Sequence, residues 1–275
     1  MKVIDLFSGI GGFSLGLEAA GFQTVQFVEQ DSFCQKVLQR HWPHVAIHSD
    51  IRTFDGKRHK DIGLVCGGFP CQPFSVANAG RQRGVEDNRY LWPEMFRTIQ
   101  DVEPRYVVGE NVPGIINLAL DQVYSDLEKS YDVSIFNLPA LAADALHRRE
   151  RIFIIGVRKD LADSGSITIQ GSIKKSVLGQ PDLQRKLGRG GSDKRIGQPN
   201  ELRVGRLAHG ISRGLAGFEW PEEKLPRLAN GEKDRGKKLK GLGNAVVPPL
   251  IAKIGALIME YDNLSKNPDS FFVDS

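Results

Sequence analysis

The sequence predicts an α/β fold, a doubly wound and mostly parallel sheet with a small basic lobe attached. Three observations predict it. Short apolar runs alternate with helical periodicity over the first 157 residues, which is the pattern of repeated strand–helix units. A glycine-rich turn joins the first strand to the first helix, as in folds that bind nucleotides. Acidic side chains and a cysteine follow the carboxyl ends of successive strands, where open α/β sheets hold ligands.

The individual elements follow from local patterns along the chain. Apolar or β-branched runs predict strands at residues 2–7, 23–28, 45–48, 62–66, 105–109, 133–138 and 152–157. Helical periodicity predicts helices at residues 13–20, 31–40, 91–101, 120–129 and 250–261. Asp31 is a candidate N-cap for the second helix, and Gly21 ends the first. Residues 76–90 are polar and contain Arg81, Arg83 and Arg89, so we expect a mobile lid loop there.

Composition sets broad limits on location and partners. Hydrophobic residues make up 40% of the chain and charged residues 25%, which is typical of soluble globular proteins. We find no long apolar run and no signal segment, and therefore expect a cytoplasmic protein without a membrane partner. Cys34, Cys66 and Cys71 are too few for a disulfide framework and lack metal-site spacing, so no metal is expected.

The net charge of +4 is unevenly distributed. Residues 161–240 contain 17 Lys and Arg against 9 Asp and Glu, a net charge of +8, whereas the rest of the chain has 20 against 24, a net charge of −4. A basic segment on an acidic body is typical of a polyanion-binding lobe, and a solvated loop is the alternative. We therefore divide the chain into one domain of residues 1–160 and 241–275 and a small recognition region of residues 161–240.

A nucleotide-type cleft is predicted at the ends of the first three strands. Residues 8–12 form a glycine turn before a helix, whose free N–H groups can meet a ligand. Ser14 stands where a dinucleotide fingerprint requires glycine or alanine, which weakens a dehydrogenase interpretation. Glu29 ends the second strand and suits both hydroxyls of a ribose. Asp50 could accept from an adenine amino group while Ile51 covers the ring.

Cys71 is a candidate nucleophile. It follows the strand at residues 62–66 on a sharp turn, Gly67-Gly68-Phe69-Pro70-Cys71-Gln72-Pro73. The two prolines restrict the backbone on either side of the thiol and hold it at a strand's carboxyl end. A small buried hydrophobe is the alternative, because free cysteine often has that role.

Five ordered motifs indicate a family. They are Asp5-Leu6-Phe7-Ser8-Gly9-Ile10-Gly11-Gly12, Pro70-Cys71-Gln72, Glu110-Asn111-Val112, Arg149-x-Arg151 and Gly243-Asn244-x-Val246-Val247-Pro248. Over residues 1–158 and 241–262 the chain resembles the DNA (cytosine-5)-methyltransferases of bacteria and phages. The resemblance implies a Rossmann-like methyltransferase domain, S-adenosyl-L-methionine as cofactor, double-stranded DNA as substrate, and a restriction-modification or orphan phage methylase. We expect a monomer.

The resemblance also implies roles for particular residues. The catalytic set is Cys71, Glu110, Arg149 and Arg151. The cofactor-binding set is Phe7, Ser8, Gly9, Gly11, Gly12, Glu29, Asp50, Ile51, Leu91, Asn244 and Val246. A thiolate that adds to carbon 6 of cytosine pushes electrons into the ring, so that carbon 5 can attack a methyl group. Glu110 suits the proton donor at ring nitrogen 3, if a desolvated pocket keeps it protonated. An arginine could bind the cytosine carbonyl oxygen.

Two departures from the family's motifs and three alternative functions remain at this point. His147 stands where the family usually has glutamine, and Arg203 to Leu207 only loosely fits a further motif. A tRNA-directed relative would use the same chemistry, although Pro70-Cys71-Gln72 is the DNA-enzyme form. A non-catalytic DNA-binding module would not need Cys71, Glu110 or Arg149. A nicotinamide oxidoreductase would leave Cys71 without a role.

Overall fold

The computed structural model describes residues 1–70, 90–139, 150–162, 205–206 and 234–266. The strands of this part are β1 Lys2–Leu6, β2 Gln23–Val28, β3 Ala46–His48, β4 Leu64–Gly68, β5 Tyr106–Asn111, β6 Tyr131–Pro139, β7 Glu150–Arg158 and β8 Gly205–Arg206. The α-helices are α1 Gly12–Ala19, α2 Ser32–His41, α3 Trp92–Val102, α4 Leu120–Leu127, α5 Lys159–Ala162, α6 Arg235–Asn244 and α7 Pro248–Lys266. Short 3-10 helices lie at Ile51–Thr53, Gly56–Arg58 and Pro113–Asn117.

The described strands form one sheet in the order β3-β2-β1-β4-β5-β7-β6-β8. All neighbouring pairs are parallel except those of β7, which runs antiparallel to both β5 and β6. The predicted doubly wound, mostly parallel sheet is thus confirmed. Strand order reverses between β1 and β4, and such a switch point opens a crevice at the carboxyl ends of the strands.

Helices cover both faces of the sheet. Ile4 and Leu6 of β1 belong to a core cluster that includes residues of α3 and α4, whereas Val3 belongs to a second cluster with residues of α1 and α7. All three side chains are completely buried. Burial of one such side chain contributes about 1.5–3 kcal/mol. Because the central strands are buried on both faces, their sequences are continuous apolar runs.

Some boundaries differ from the sequence-based expectation. β5 continues through Glu110 and Asn111, which were expected to follow the strand. Helix α7 begins at Pro248 and extends to Lys266, beyond the expected residues 250–261. Proline is well tolerated there because a first-turn residue needs no intrahelical N–H bond. Helix α6 was not predicted, because its sequence RGKKLKGLGN contains three glycines and no apolar stripe.

The segment Gly236–Lys266 is long and apolar enough, by length and composition, to cross a membrane. The sequence was expected to contain no such run. The segment is not one helix, because α6 ends at Asn244 and α7 starts at Pro248. Leu250, Ile251 and Ile258 of α7 are buried in the core cluster that α7 shares with α1. Such packing is typical of an amphipathic core helix.

Candidate active site

A cleft of about 1050 Å³ lies at the carboxyl edge of the parallel strands. Its walls come from the segments that follow β1 to β5, from the start of β7 and from α6. It is lined by most of the site residues predicted from the sequence, namely Phe7, Ser8, Gly9, Gly12, Glu29, Asp50, Ile51, Leu91, Glu110, Arg151, Asn244 and Val246. Parallel strands therefore bring together residues that lie far apart in the chain.

Several predictions fall outside the described residues. These are the catalytic residues Cys71 and Arg149, His147, the loop at 76–89 and almost all of the recognition region. Pro70, directly before Cys71, is described and lines the cleft. Of the proposed further motif at residues 203–207, only Gly205 and Arg206 are described, as strand β8.

Glu29 joins the glycine turn to the start of α2. Its Oε2 accepts a hydrogen bond from the Gly9 amide at 2.6 Å, and its Oε1 accepts one from the Asp31 amide at 2.7 Å. A carboxylate oxygen can accept more than one hydrogen bond, so Glu29 keeps capacity for two ribose hydroxyls. These amides also fix the carboxylate in place before any ligand binds.

The glycines of the turn have different roles. Gly11 does not line the cleft, in contrast to the predicted cofactor contact. It is the N-cap of α1 with a φ of 88°, and a Cβ there would lie 2.6 Å from the Trp42 ring, so only glycine fits. Gly12 does line the cleft, and a Cβ there would lie 3.0 Å from Val246. Gly12 therefore allows α1 to approach the segment between α6 and α7.

Beneath this turn lies a buried acid. Asp5 is completely buried, and its Oδ2 accepts a hydrogen bond from the Ser14 hydroxyl at 2.7 Å. Burial raises the pKa of Asp5 to about 8, against the lowering effect of the Ser14 hydrogen bonds. Ser14, the residue that breaks the dinucleotide fingerprint, thus ties α1 to a protonated side chain on β1.

The Asp50–Ile51 pair forms the next part of the wall. Asp50 Oδ1 accepts from the Arg52 amide at 3.0 Å and caps the 3-10 helix Ile51–Thr53. Both Asp50 and Ile51 face the cleft, and Ile51 is almost fully buried. This arrangement presents a carboxylate beside an apolar side chain at the cleft wall.

Sequence reasoning missed an ion pair at the cleft wall. Lys240 Nζ of α6 lies 3.5 Å from Asp31 Oδ2, and both residues line the cleft. Asp31 also accepts from the Cys34 and Phe33 amides, as an N-cap should. The hydrogen bonds from those amides, together with the charge of Lys240, lower the pKa of Asp31. No sequence signal pointed to Lys240, because α6 itself was not predicted.

A second ion pair occupies another part of the cleft. Arg151 Nε lies 2.8 Å from Glu110 Oε1. The two meet because β7 runs antiparallel to β5, with Asn111 opposite Ile152, so the start of β7 returns to the carboxyl edge. Glu110 is 8% exposed. Burial favours a neutral carboxyl group, whereas the guanidinium favours the ionised form, and the sequence-based expectation included only the first effect.

Asn111 fixes the chain close to Cys71. Its Nδ2 donates to the Phe69 carbonyl at 3.0 Å, and its Oδ1 accepts from the Val112 amide at 2.9 Å. Phe69 is two residues before Cys71, so this side chain ties the end of β4 to the end of β5. The sequence motif contained Asn111, but gave no reason to assign it this contact.

The two described cysteines are poor nucleophiles. Burial raises the pKa of the Cys34 thiol to about 12. Cys66 is completely buried, and burial raises its pKa well above the usual value. A thiol that stays protonated near neutral pH does not attack. Among the described residues, no group of three or more His, Cys, Asp or Glu side chains could hold a metal ion.

A family model described as C-5 cytosine-specific DNA methylase matches residues 1–192. The type II methyltransferase M.PspPI of a Psychrobacter species is 38% identical over 178 residues, which are 59% of this chain and 41% of that protein. The chain spans about half the length of the curated relatives it matches.

Two solved structures are also similar. A candidate DNA modification methyltransferase from an Escherichia coli prophage matches with a TM-score of 0.52 and 27% identity, over 63% of this chain and 54% of that one. The Entamoeba histolytica methyltransferase EhMeth matches with a TM-score of 0.56 over 96% of this chain and 98% of that one. At 16% identity, the second match shows a shared fold alone.

Proposed function

Because the chain belongs to the C-5 cytosine-specific DNA methylase family, we propose that it transfers a methyl group from S-adenosyl-L-methionine to carbon 5 of cytosine in double-stranded DNA. The observation that carries the proposal is the Glu110–Arg151 ion pair, which shares one cleft with the glycine turn and with Pro70, the residue before Cys71. A dinucleotide oxidoreductase would need neither the pair nor Cys71.

The cofactor-binding part of the cleft would hold S-adenosyl-L-methionine. The cofactor supplies a methyl group on a positively charged sulfur. Glu29, already fixed by two amides, accepts from the ribose hydroxyls. Asp50 accepts from the adenine amino group while Ile51 covers a face of the ring. A volume of about 1050 Å³ leaves room for the cofactor and a cytosine together.

Cys71 and Glu110 would activate the cytosine. The Cys71 thiolate forms a bond to carbon 6, and the electron pair of the ring's 5,6 double bond moves towards ring nitrogen 3, which takes a proton from Glu110. Carbon 5 then forms its bond to the methyl group as the methyl–sulfur bond breaks and its electron pair stays on the departing sulfur. Loss of the carbon-5 proton to a base restores the double bond as the Cys71 thiolate leaves, and ring nitrogen 3 returns its proton to Glu110.

Arg151 would orient the carboxyl group of Glu110. Its Nε lies 2.8 Å from Glu110 Oε1, and this contact would hold the carboxyl group in place for proton transfer to ring nitrogen 3. Oε2 lies beside Gly68, where a Cβ would be only 2.9 Å away. Glycine at that position therefore leaves space for the base beside the acid. Arg149 would bind the cytosine carbonyl oxygen.

The base must leave the duplex to reach this cleft, at a cost of a few kcal/mol. We assign residues 76–90 to a loop that closes over the flipped base, with Arg81, Arg83 and Arg89 on phosphates. Residues 161–233 would read the DNA sequence. We move the end of this region from residue 240 to 233, because α6 is continuous across the earlier boundary and its lysines line the cleft.

Transfer of tritium from labelled S-adenosyl-L-methionine tests the function. We expect label in duplex DNA, none in tRNA, and 5-methylcytosine as the product. Cys71→Ala should abolish transfer, while Cys66→Ala, which removes a buried thiol, should retain it. Label in tRNA alone would identify an RNA-directed enzyme. Absence of label from every nucleic acid, with S-adenosyl-L-methionine bound, would contradict the proposal.

A further inference from the structure

We propose that Arg97, on α3, is a positioning residue for the adenine-binding part of the cleft. The inference rests on the proposed function, because it concerns the turn that carries Asp50 and Ile51. Arg97 does not line the cleft itself. It acts on the backbone behind that turn, and nothing in the sequence motifs pointed to it.

Arg97 donates to two carbonyl groups of the turn. Its Nη2 lies 2.7 Å from the Ile51 oxygen, and its Nη1 lies 3.0 Å from the Phe54 oxygen. These carbonyls lie at the two ends of the four-residue stretch that contains the 3-10 helix Ile51–Thr53. A positive group beside the carbonyls of a short helix is favourable, because those oxygens carry partial negative charge. The guanidinium thus fixes the backbone that carries Ile51.

The guanidinium is itself held in one orientation. Nε lies 2.9 Å from Glu94 Oε2, and Nη1 lies 3.2 Å from Asp101 Oδ2, three residues before and four residues after Arg97 on the same helix. Two carboxylates therefore neutralise the charge, and the planar fork points its remaining N–H groups at the turn. A lysine cannot reproduce this geometry, because its donors all sit on one nitrogen instead of on a rigid planar fork.

α3 is a suitable support for the turn. Leu91, its N-cap, lines the cleft, and Trp92, Met95 and Ile99 anchor the helix in the core. A Cβ at Gly56 would lie 2.7 Å from Asp101, so the chain after the turn also rests against α3. Movement of the turn away from α3 would carry Asp50 and Ile51 away from the adenine.

The chain offers a matched control for a merely structural role. Arg158 Nη1 donates to the Glu103 carbonyl at 2.6 Å, and Nε and Nη2 bind Asp160 at 2.8 and 2.9 Å. It therefore makes the same kinds of contact as Arg97. Its side chain is 32% exposed, against 37% for Arg97, and it does not line the cleft.

The test compares two ligands by calorimetry on the full chain. S-adenosylhomocysteine presents the adenine amino group to Asp50, whereas S-inosylhomocysteine presents a carbonyl oxygen there. We expect the unaltered protein to prefer the first ligand. Arg97→Gln should weaken binding of S-adenosylhomocysteine by about three- to tenfold, which corresponds to the loss of one hydrogen bond. It should also reduce the preference between the ligands, with Arg97→Lys intermediate.

Arg158→Gln should leave both affinities unchanged. Combined with Asp50→Asn, Arg97→Gln should add little further loss, since both act on the same contact. The inference is wrong if Arg97→Gln keeps the preference, or if Arg158→Gln reduces it equally. If the unaltered protein binds neither ligand, the proposed function fails as well. If it binds both equally, the adenine role of Asp50 fails, and with it the role of Arg97, while methyl transfer stands.

Discussion

The two ends of the cleft are built differently. At the end where we propose that the cofactor binds, here called the cofactor end, the carboxylate of Glu29 is held by backbone amides of Gly9 and Asp31. At the end where we propose that cytosine binds, here called the cytosine end, the carboxylate of Glu110 is held by a side chain, Arg151, from a strand that runs in the opposite direction. The first arrangement needs only parallel strands and a turn. The second depends on the one antiparallel strand in the described sheet.

Because of this difference, we expect substitutions to affect cofactor binding and methyl transfer separately. The largest effect is expected from a substitution at the cytosine end. Glu110→Gln keeps the size of the side chain but removes the transferable proton. Methyl transfer should fall by about 10²–10⁴-fold, the usual contribution of a general acid. Cofactor affinity, measured by calorimetry, should remain unchanged, because Glu29 and Asp50 are intact.

Glu103→Gln provides the control for this substitution. Glu103 is exposed and follows α3, outside the cleft. The Glu103→Gln variant should retain full methyl-transfer activity and cofactor binding. If Glu110→Gln loses cofactor binding together with activity, the two ends are not independent. If it retains activity, Glu110 is not the acid.

The cofactor end should show the reverse behaviour. Glu29→Ala removes the carboxylate that we propose accepts from the ribose hydroxyls, and hydrogen bonds to charged groups contribute about 1.5–3 kcal/mol. Affinity for S-adenosyl-L-methionine should therefore fall by about tenfold to a hundredfold. Glu128→Ala, an exposed position at the end of α4, serves as the control. Unchanged affinity in Glu29→Ala would exclude the ribose role.

The sheet and the grouping of Glu29, Asp50 and Ile51 in one cleft could be predicted well from the sequence. Periodicity and turn signals predicted β2 with its observed bounds and most other strands. Because ligands bind at the carboxyl ends of parallel strands, Glu29, Asp50 and Ile51 were expected to share one cleft, and all three line it. The Arg97 contacts could not be predicted, because they join side chains to backbone atoms more than forty residues away. Nor could α6, whose glycine-rich sequence has no apolar stripe.

A smaller effect concerns Asp5, beneath the glycine turn. Its pKa is about 8 in the folded protein against 3.8 in an exposed carboxyl group, so the folded state holds a proton that the unfolded state loses. The stabilisation of the folded state by this proton is complete below pH 3.8 and is lost as pH rises to about 8. The free energy of unfolding should therefore decrease with pH in this window, by at most about 1.4 kcal/mol per pH unit.

Asp5→Asn removes the titrating group and keeps an oxygen that can accept from Ser14. Urea unfolding between pH 5 and 8.5 should show a steeper decrease in stability for the unaltered protein than for this variant. Equal slopes would mean that Asp5 is ionised when the protein is folded. Ser14 connects Asp5 to α1, the helix that follows the glycine turn. The change in slope therefore reports on the cofactor end of the cleft.

Covalent trapping of DNA bears directly on the proposed division of the cleft into a cofactor end and a cytosine end. Duplex DNA that carries 5-fluorocytosine in the methylated site cannot lose fluorine as a proton is lost, so the adduct with Cys71 should persist. With S-adenosyl-L-methionine present, we expect a protein–DNA band and a peptide mass that place the bond on Cys71. The Glu29→Ala variant should still form this band when the cofactor concentration is high. The Glu110→Gln variant should not form it. No adduct under conditions that support methylation, or an adduct at Cys34 or Cys66, would rule out Cys71 as the nucleophile at the cytosine end.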